Sequence, residues 1–169
     1  MAESNRDRIN PSLLDRLTDE APQNAASRGG QSLTLSELRR SVLRDLNWLF
    51  NSSQLLKAEE AESWPQVRNS VVNYGLPPLS GLCASGLDLA QLERVLRQAI
   101  VDFEPRILPD SVSVKALIER ESLDHHNVVS LHIEGLLWAQ PVPIELLLRT
   151  QLNLESGQSS VEETTLGRR

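Results

Sequence analysis

Apolar residues fall at helical intervals in two stretches of this sequence and at alternate positions in three later ones. After Thr34, the residues Leu35, Leu38, Val42, Leu46 and Leu49 recur every three or four positions, with Arg39, Arg40 and Arg44 on the other side. Thr34 and Glu37 have the spacing of a capping box, so an amphipathic helix is predicted from there to about Phe50. Asp88 and Gln91 repeat the device ahead of Leu89, Leu92, Val95, Leu96, Ile100 and Phe103, and Pro105 stops this second helix. Between the two, Asn51 to Ser63 is polar and acidic without a clear face and reads equally as loop or partial helix. Trp64-Pro65, Val67, Val71, Val72 and Tyr74 then lead into Gly75-Leu76-Pro77-Pro78, a short element closed by a rigid turn.

After Pro109 the period becomes two. Val112, Val114, Ala116 and Ile118 face one way, with Ser111, Ser113, Lys115 and Glu119 facing the other. Asp124-His125-His126-Asn127 reads as a turn, and Val129, Leu131 and Ile133 alternate with Ser130, His132 and Glu134, so the two runs predict an antiparallel hairpin. Past Gln140-Pro141-Val142-Pro143, Leu146, Leu148 and Leu152 alternate with Glu145, Arg149 and Gln151 in a third and last strand, where Leu147 also points outward. Helices first and strands later predict an α+β fold, N-terminal helices packed on a small, mainly antiparallel C-terminal sheet with open edges. Residues 1–32 read as a flexible segment with one apolar motif, Leu13, Leu14 and Leu17; residues 33–155 as one domain; residues 156–169 as a disordered tail.

Composition narrows the function. At 169 residues and 40% hydrophobic content, the chain can bury one core. The balance of 17 basic against 23 acidic residues gives a net charge of -6, which repels a phosphate backbone, so nucleic acid is not an expected partner. No apolar run approaches the roughly 18 residues that cross a bilayer. Met1 to Arg8 is polar, so a soluble, unexported, cytoplasmic protein is expected. Cys83 is the single cysteine, which rules out an internal disulfide and a Cys-rich zinc site and fits a reducing compartment.

Candidate chemistry is sparse. Adjacent His125 and His126 diverge in extended backbone, and with His132 they read as turn and surface positions rather than metal ligands. Asp102, Glu104 and Glu134 are candidate carboxylates for a peptidoglycan-cleaving glycoside hydrolase, but aromatic content is 4%, low for stacking sugars. No catalytic residue, cofactor or metal is expected. Trp48, Trp64 and Trp138 read as core or hinge anchors, with Trp138 beside the Pro141 break the best exposed contact. At Glu104-Pro105-Arg106 the proline fixes the chain direction, so a carboxylate and a guanidinium fork are held either for a partner or simply to solvate the helix end. Lying off the core stripe, both charges are expected to be removable without harm to the fold. A free adaptor that binds a peptide by strand addition is the remaining alternative.

Four segments then carry a resemblance to one family: Leu14-Asp15-Arg16-Leu17, Arg44-Asp45-Leu46-Asn47-Trp48-Leu49-Phe50-Asn51, Ser70-Val71-Val72-Asn73-Tyr74-Gly75-Leu76-Pro77 and Glu104-Pro105-Arg106. In this order they resemble the TssE family of type VI secretion baseplate subunits, homologues of a contractile-tail phage wedge protein historically labelled lysozyme-like. The resemblance runs from about Leu13 to about Leu154. It implies a structural subunit of a cytoplasmic baseplate docked at the inner membrane, in which Glu104, Pro105 and Arg106 hold the subunit to the wedge proteins TssF and TssG, with TssK. It also implies that the sheet offers strands to the first ring of sheath proteins TssB/TssC; the strand carrying Arg149 is the first expected edge, and the one around Val112 to Ile118 the next.

Overall fold

In a computed structural model of the chain, the described residues are 12–17, 34–56, 58–78, 88–117, 128–139 and 141–164. The helices are α1 (Leu13–Leu17), α2 (Leu35–Phe50), α3 (Ala58–Ser63), α4 (Pro65–Arg68) and α5 (Leu89–Phe103), followed by β1 (Ser113–Leu117), β2 (Val128–Leu137), β3 (Ile144–Asn153) and β4 (Ser159–Glu163). The expected α+β order holds, and the sheet is antiparallel throughout.

Both long helices begin where the caps place them. The Thr34 side chain accepts from Glu37 N–H while Glu37 reaches back to Thr34 N–H at 2.8 Å. Asp88 caps Gln91 N–H at 3.1 Å. The α2 stripe Leu38, Val42, Leu46 and Leu49 and the α5 residues Leu92, Leu96, Ala99 and Ile100 are buried in one core with the inner face of the sheet. Each fully buried leucine contributes about 1.5–3 kcal/mol relative to exposure.

The register aligns the inner face in rows. Val114, Ile133 and Leu148 form one row, and Ala116, Leu131, Thr150 and Val161 form the next. The outer face carries Lys115, His132, Arg149 and Glu162 in a polar row. Two expectations are corrected here. The third strand is not the last: the stretch read as a disordered tail from Ser156 contains β4, which pairs with β3 through Leu152↔Ser159 to Leu148↔Glu163. Arg149 therefore stands on an interior strand, and the edges are β1 and β4. Ser130, expected to face outward into solvent, is buried at 6% exposure.

The undecided stretch after Asn51 resolves into an extended crossing and α3. Ser53 bridges Leu76 in parallel, with Leu76 N–H donating to Ser52 C=O and Gln54 N–H to Leu76 C=O, both at 2.8 Å. Asn73, 2% exposed, staples this region by accepting from Leu56 N–H and donating to Arg68 C=O. Gly75 has φ of +125°, and a Cβ there would stand 2.4 Å from Ser52 O, so only glycine fits. The predicted turn at 124–127, Ile118 and Glu119, Cys83, His125, His126, and most of 1–32 lie outside the described residues.

Side chains from the helices cover part of both sheet edges. Glu93 of α5 accepts from Ala116 N–H of β1 at 2.7 Å, and Arg97 donates to Val112 C=O at 3.0 Å. At β4 the Asn51 amide imitates a neighbouring strand, accepting from Ser159 N–H at 2.9 Å and donating to Ser159 C=O at 3.0 Å. Arg39 of α2 adds an ion pair to Glu163.

Candidate partner-binding groove

Helical spacing places Ser41, Arg44, Asp45 and Trp48 on one face of α2, beside the end of α5. The chain leaves α5 at Glu104, turns at Pro105, and runs back along the end of β2. There Ile107 bridges Leu137, Leu108 N–H donates to Leu136 C=O at 2.8 Å, and Trp138 N–H donates to Arg106 C=O at 2.7 Å. The Glu-Pro-Arg segment is thus tied down by backbone bonds as well as by its side chains.

Glu104 is 3% exposed, which corrects the expectation that it lies off the core. Its carboxylate takes the Arg106 fork, with Nε to Oε1 at 2.7 Å and Nη2 to Oε2 at 2.5 Å. Arg106 also donates to Ser41 Oγ at 2.8 Å and to Asp45 Oδ2 at 2.5 Å. Burial opposes the Arg106 charge, but the hydrogen bonds and charges of Glu104 and then Asp45 outweigh it and raise its pKa above the ordinary arginine value. Tyr74, whose hydroxyl donates to Asp45 C=O at 3.2 Å, packs edge-on against Phe103 at 5.3 Å between ring centres. Burial, and then the negative charges of Asp45 and Glu104, push the Tyr74 pKa up.

The network continues to the N-terminal motif. Ser41 Oγ donates to Asp15 Oδ2 at 2.9 Å, and Arg44 donates to Asp15 Oδ1 at 2.7 Å while pairing with Asp45 at 2.8 Å. The Arg44 guanidinium lies 5.1 Å from the Trp48 ring, which is half-exposed. Together Ser12, Leu14, Asp45, Trp48, Tyr74, Phe103, Pro105 and Arg106 line a groove of about 560 Å³.

The structure therefore brings Glu104, Pro105 and Arg106 together and leaves Arg149 elsewhere, on the outer sheet face opposite His132 and Glu162. Sequence reasoning missed Ser41 and Asp45 as partners of Arg106, and Asp15 as the partner of Ser41 and Arg44. The signal was present in the helical spacing from Ser41 to Asp45, but nothing in the sequence tells which charged segment crosses that face. Among the other candidates, Asp102 accepts from Gln98 at 2.8 Å, Glu134 is exposed on β2, and Trp138 is 52% exposed. No group of three His, Cys, Asp or Glu suited to a metal ion, and no helix long and apolar enough to cross a membrane, occurs among the described residues.

Three comparisons bear on this geometry. The model of the family described as "Baseplate wedge protein gp25" matches residues 36–142, more than half of the chain, from the start of α2 through the end of β2. No curated protein and no solved structure matches the chain.

Proposed function

Since this chain belongs to the baseplate wedge protein gp25 family, the family of TssE, we propose that it is the wedge subunit of a type VI secretion apparatus. Family membership supports a structural role in a phage-tail-like baseplate. In the finer reading it joins TssF, TssG and TssK through the groove around Glu104, Pro105 and Arg106. It then offers its sheet to the first TssB/TssC ring on the cytoplasmic side of the inner membrane, and it catalyses nothing.

The observation that carries this reading is the rigidity of the charged centre beside an apolar rim. Arg106 is held by Glu104, Asp45 and Ser41, while Trp48 and Pro105 stand exposed beside it. A fixed arginine next to an accessible tryptophan is the composition that dominates binding energy at protein interfaces. Glycoside hydrolysis finds little support, because both Glu104 oxygens are taken by Arg106 and neither is open to a sugar bond. For the sheath contact, β4 is the better edge than the strand carrying Arg149, whose side chain is left to act from the outer face.

Trp48→Ala tests the groove while leaving the bonds from Arg106 to Glu104, Asp45 and Ser41 in place. The variant is expected to keep the wild-type thermal midpoint within about 2 °C, as surface substitutions do, and to lose co-purification with TssF and TssG. Undiminished co-purification would remove the groove from the contact.

A further inference from the structure

Helix α1 is five residues long and places two of its three leucines outward, Leu13 at 70% and Leu17 at 74% exposure, while Leu14, at 36%, lies on the groove wall. A helix this short has no stability of its own in water, and here apolar burial does little to hold it. Its polar contact with the domain is made by one carboxylate. Asp15 is capped by Ser12 Oγ at 2.6 Å and lies in a cradle made by Ser41 Oγ and Arg44 Nη1 of α2. The cradle is prepared to receive it: Ser41 Oγ accepts from Arg106 on one side and donates to Asp15 on the other. Arg44 is braced by Asp45 and by the Trp48 ring. Ser12 and Leu14 then form part of the wall of the groove around Arg106.

We propose that Ser41 and Arg44 form a carboxylate-binding site which Asp15 fills in cis, making α1 a tethered latch that closes the groove and swings away when a wedge partner enters it. Seventeen residues, 18–34, join α1 to α2. A tether of that length reaches at most about 55 Å, which keeps the released helix at an effective concentration on the order of millimolar. A contact too weak to persist between separate molecules is thereby populated in one chain. It opens without unfolding the domain, because the core cluster contains no residue of α1.

The latch is tested on the full chain by limited trypsin digestion, timing cleavage after Arg16 against cleavage after Arg94 and Arg97 within α5. Asp15→Ala is expected to speed the Arg16 cut roughly tenfold, the scale of losing one charge-assisted contact worth about 1.4 kcal/mol, and to leave the α5 cuts unchanged. Arg44→Gln should also speed the Arg16 cut, by less because Ser41 still donates to Asp15, and the double variant should match Asp15→Ala, in which the Arg44 contact is already lost. An Arg16 cut as slow in Asp15→Ala as in the wild type would overturn the latch. So would an equal acceleration at Arg94 and Arg97, which would make Asp15 a strut of the fold. Displacement rests on the wedge reading and has its own arm: binding of TssF and TssG is expected to speed the Arg16 cut, and a slower or unchanged cut in the complex would overturn it. If no complex forms, the wedge reading fails, while the isolated chain still decides the latch.

Discussion

Glu104 ends α5 with its carboxylate folded under Arg106, and the cost of removing it follows from where it sits. Its side chain is 4% exposed and that of Arg106 25%. Glu104→Ala therefore leaves a largely buried guanidinium with Asp45 and Ser41 alone, for an expected loss of about 3 kcal/mol. A urea midpoint equal to the wild type would show that solvent replaces the carboxylate at no cost. Binding assays on this variant thus need the midpoint beside them. Thr150 presents the opposite case: it is 1% exposed in an apolar row between Leu131 and Val161, and its hydroxyl has no hydrogen-bond partner among the described groups. Thr150→Val keeps the shape and removes that unsatisfied oxygen, so a gain of about 1 kcal/mol is expected; a lowered thermal midpoint would point to a partner for it. Asp15 sets a pH dependence. Burial raises its pKa, but the bonds from Ser12, Arg44 and Ser41 and the Arg44 charge prevail and bring it to about 2 from 3.8. Asp45 shares Arg44, and Arg106 stands behind Ser41. With the docked value depressed, the α1 contact is fully present above 3.8 and lost as pH falls through about 2. An NMR titration of the Asp15 carboxyl checks this, and an ordinary midpoint would mean that α1 is not docked.

At the scale of elements, the two long helices and three of the four strands were legible because their signals are local: capping pairs, a 3.6-residue stripe, alternation, and prolines that stop helices. The β4 strand was not. Ser159-Ser160-Val161-Glu162-Glu163 contains one apolar residue and no alternation, and it is a strand because β3, Asn51 and Arg39 supply its partners from elsewhere in the chain. The Asn73 to Leu76 crossing was half legible. Its prolines announced a turn, whereas the parallel bridge to Ser53 depends on a contact that no local pattern encodes. Gly75→Ala tests the crossing: with φ of +125° and Ser52 backbone 2.4 Å from the new Cβ, at least about 2 kcal/mol should be lost. A variant that melts with the wild type would mean that the Ser53 segment moves aside at no cost.

For the whole molecule, α2 and α5 carry the charged groove and also guard the sheet edges, so both surfaces depend on the same two helices. The Glu104 to Arg106 centre was legible as a rigid charged turn, but its closure by Ser41 and Asp45 was not, because pairing across 61 or more residues from Arg106 to α2 is decided by packing. Asn51→Ala uncovers Ser159 and is expected to cost about 1 kcal/mol. It should also raise self-association measured by sedimentation, since an open edge recruits other edges; a strictly monomeric variant would mean that Asn51 does not guard the edge. The Asn51 contact has a further consequence for what can join there. An incoming strand at Ser159 gives up two hydrogen bonds to gain two, so its first residue brings almost no net free energy. Gain would accumulate only as pairing extends past Val161 toward Glu163, so any strand added at this edge is expected to need length: a short peptide should compete poorly with Asn51, and a long strand in register should fare better.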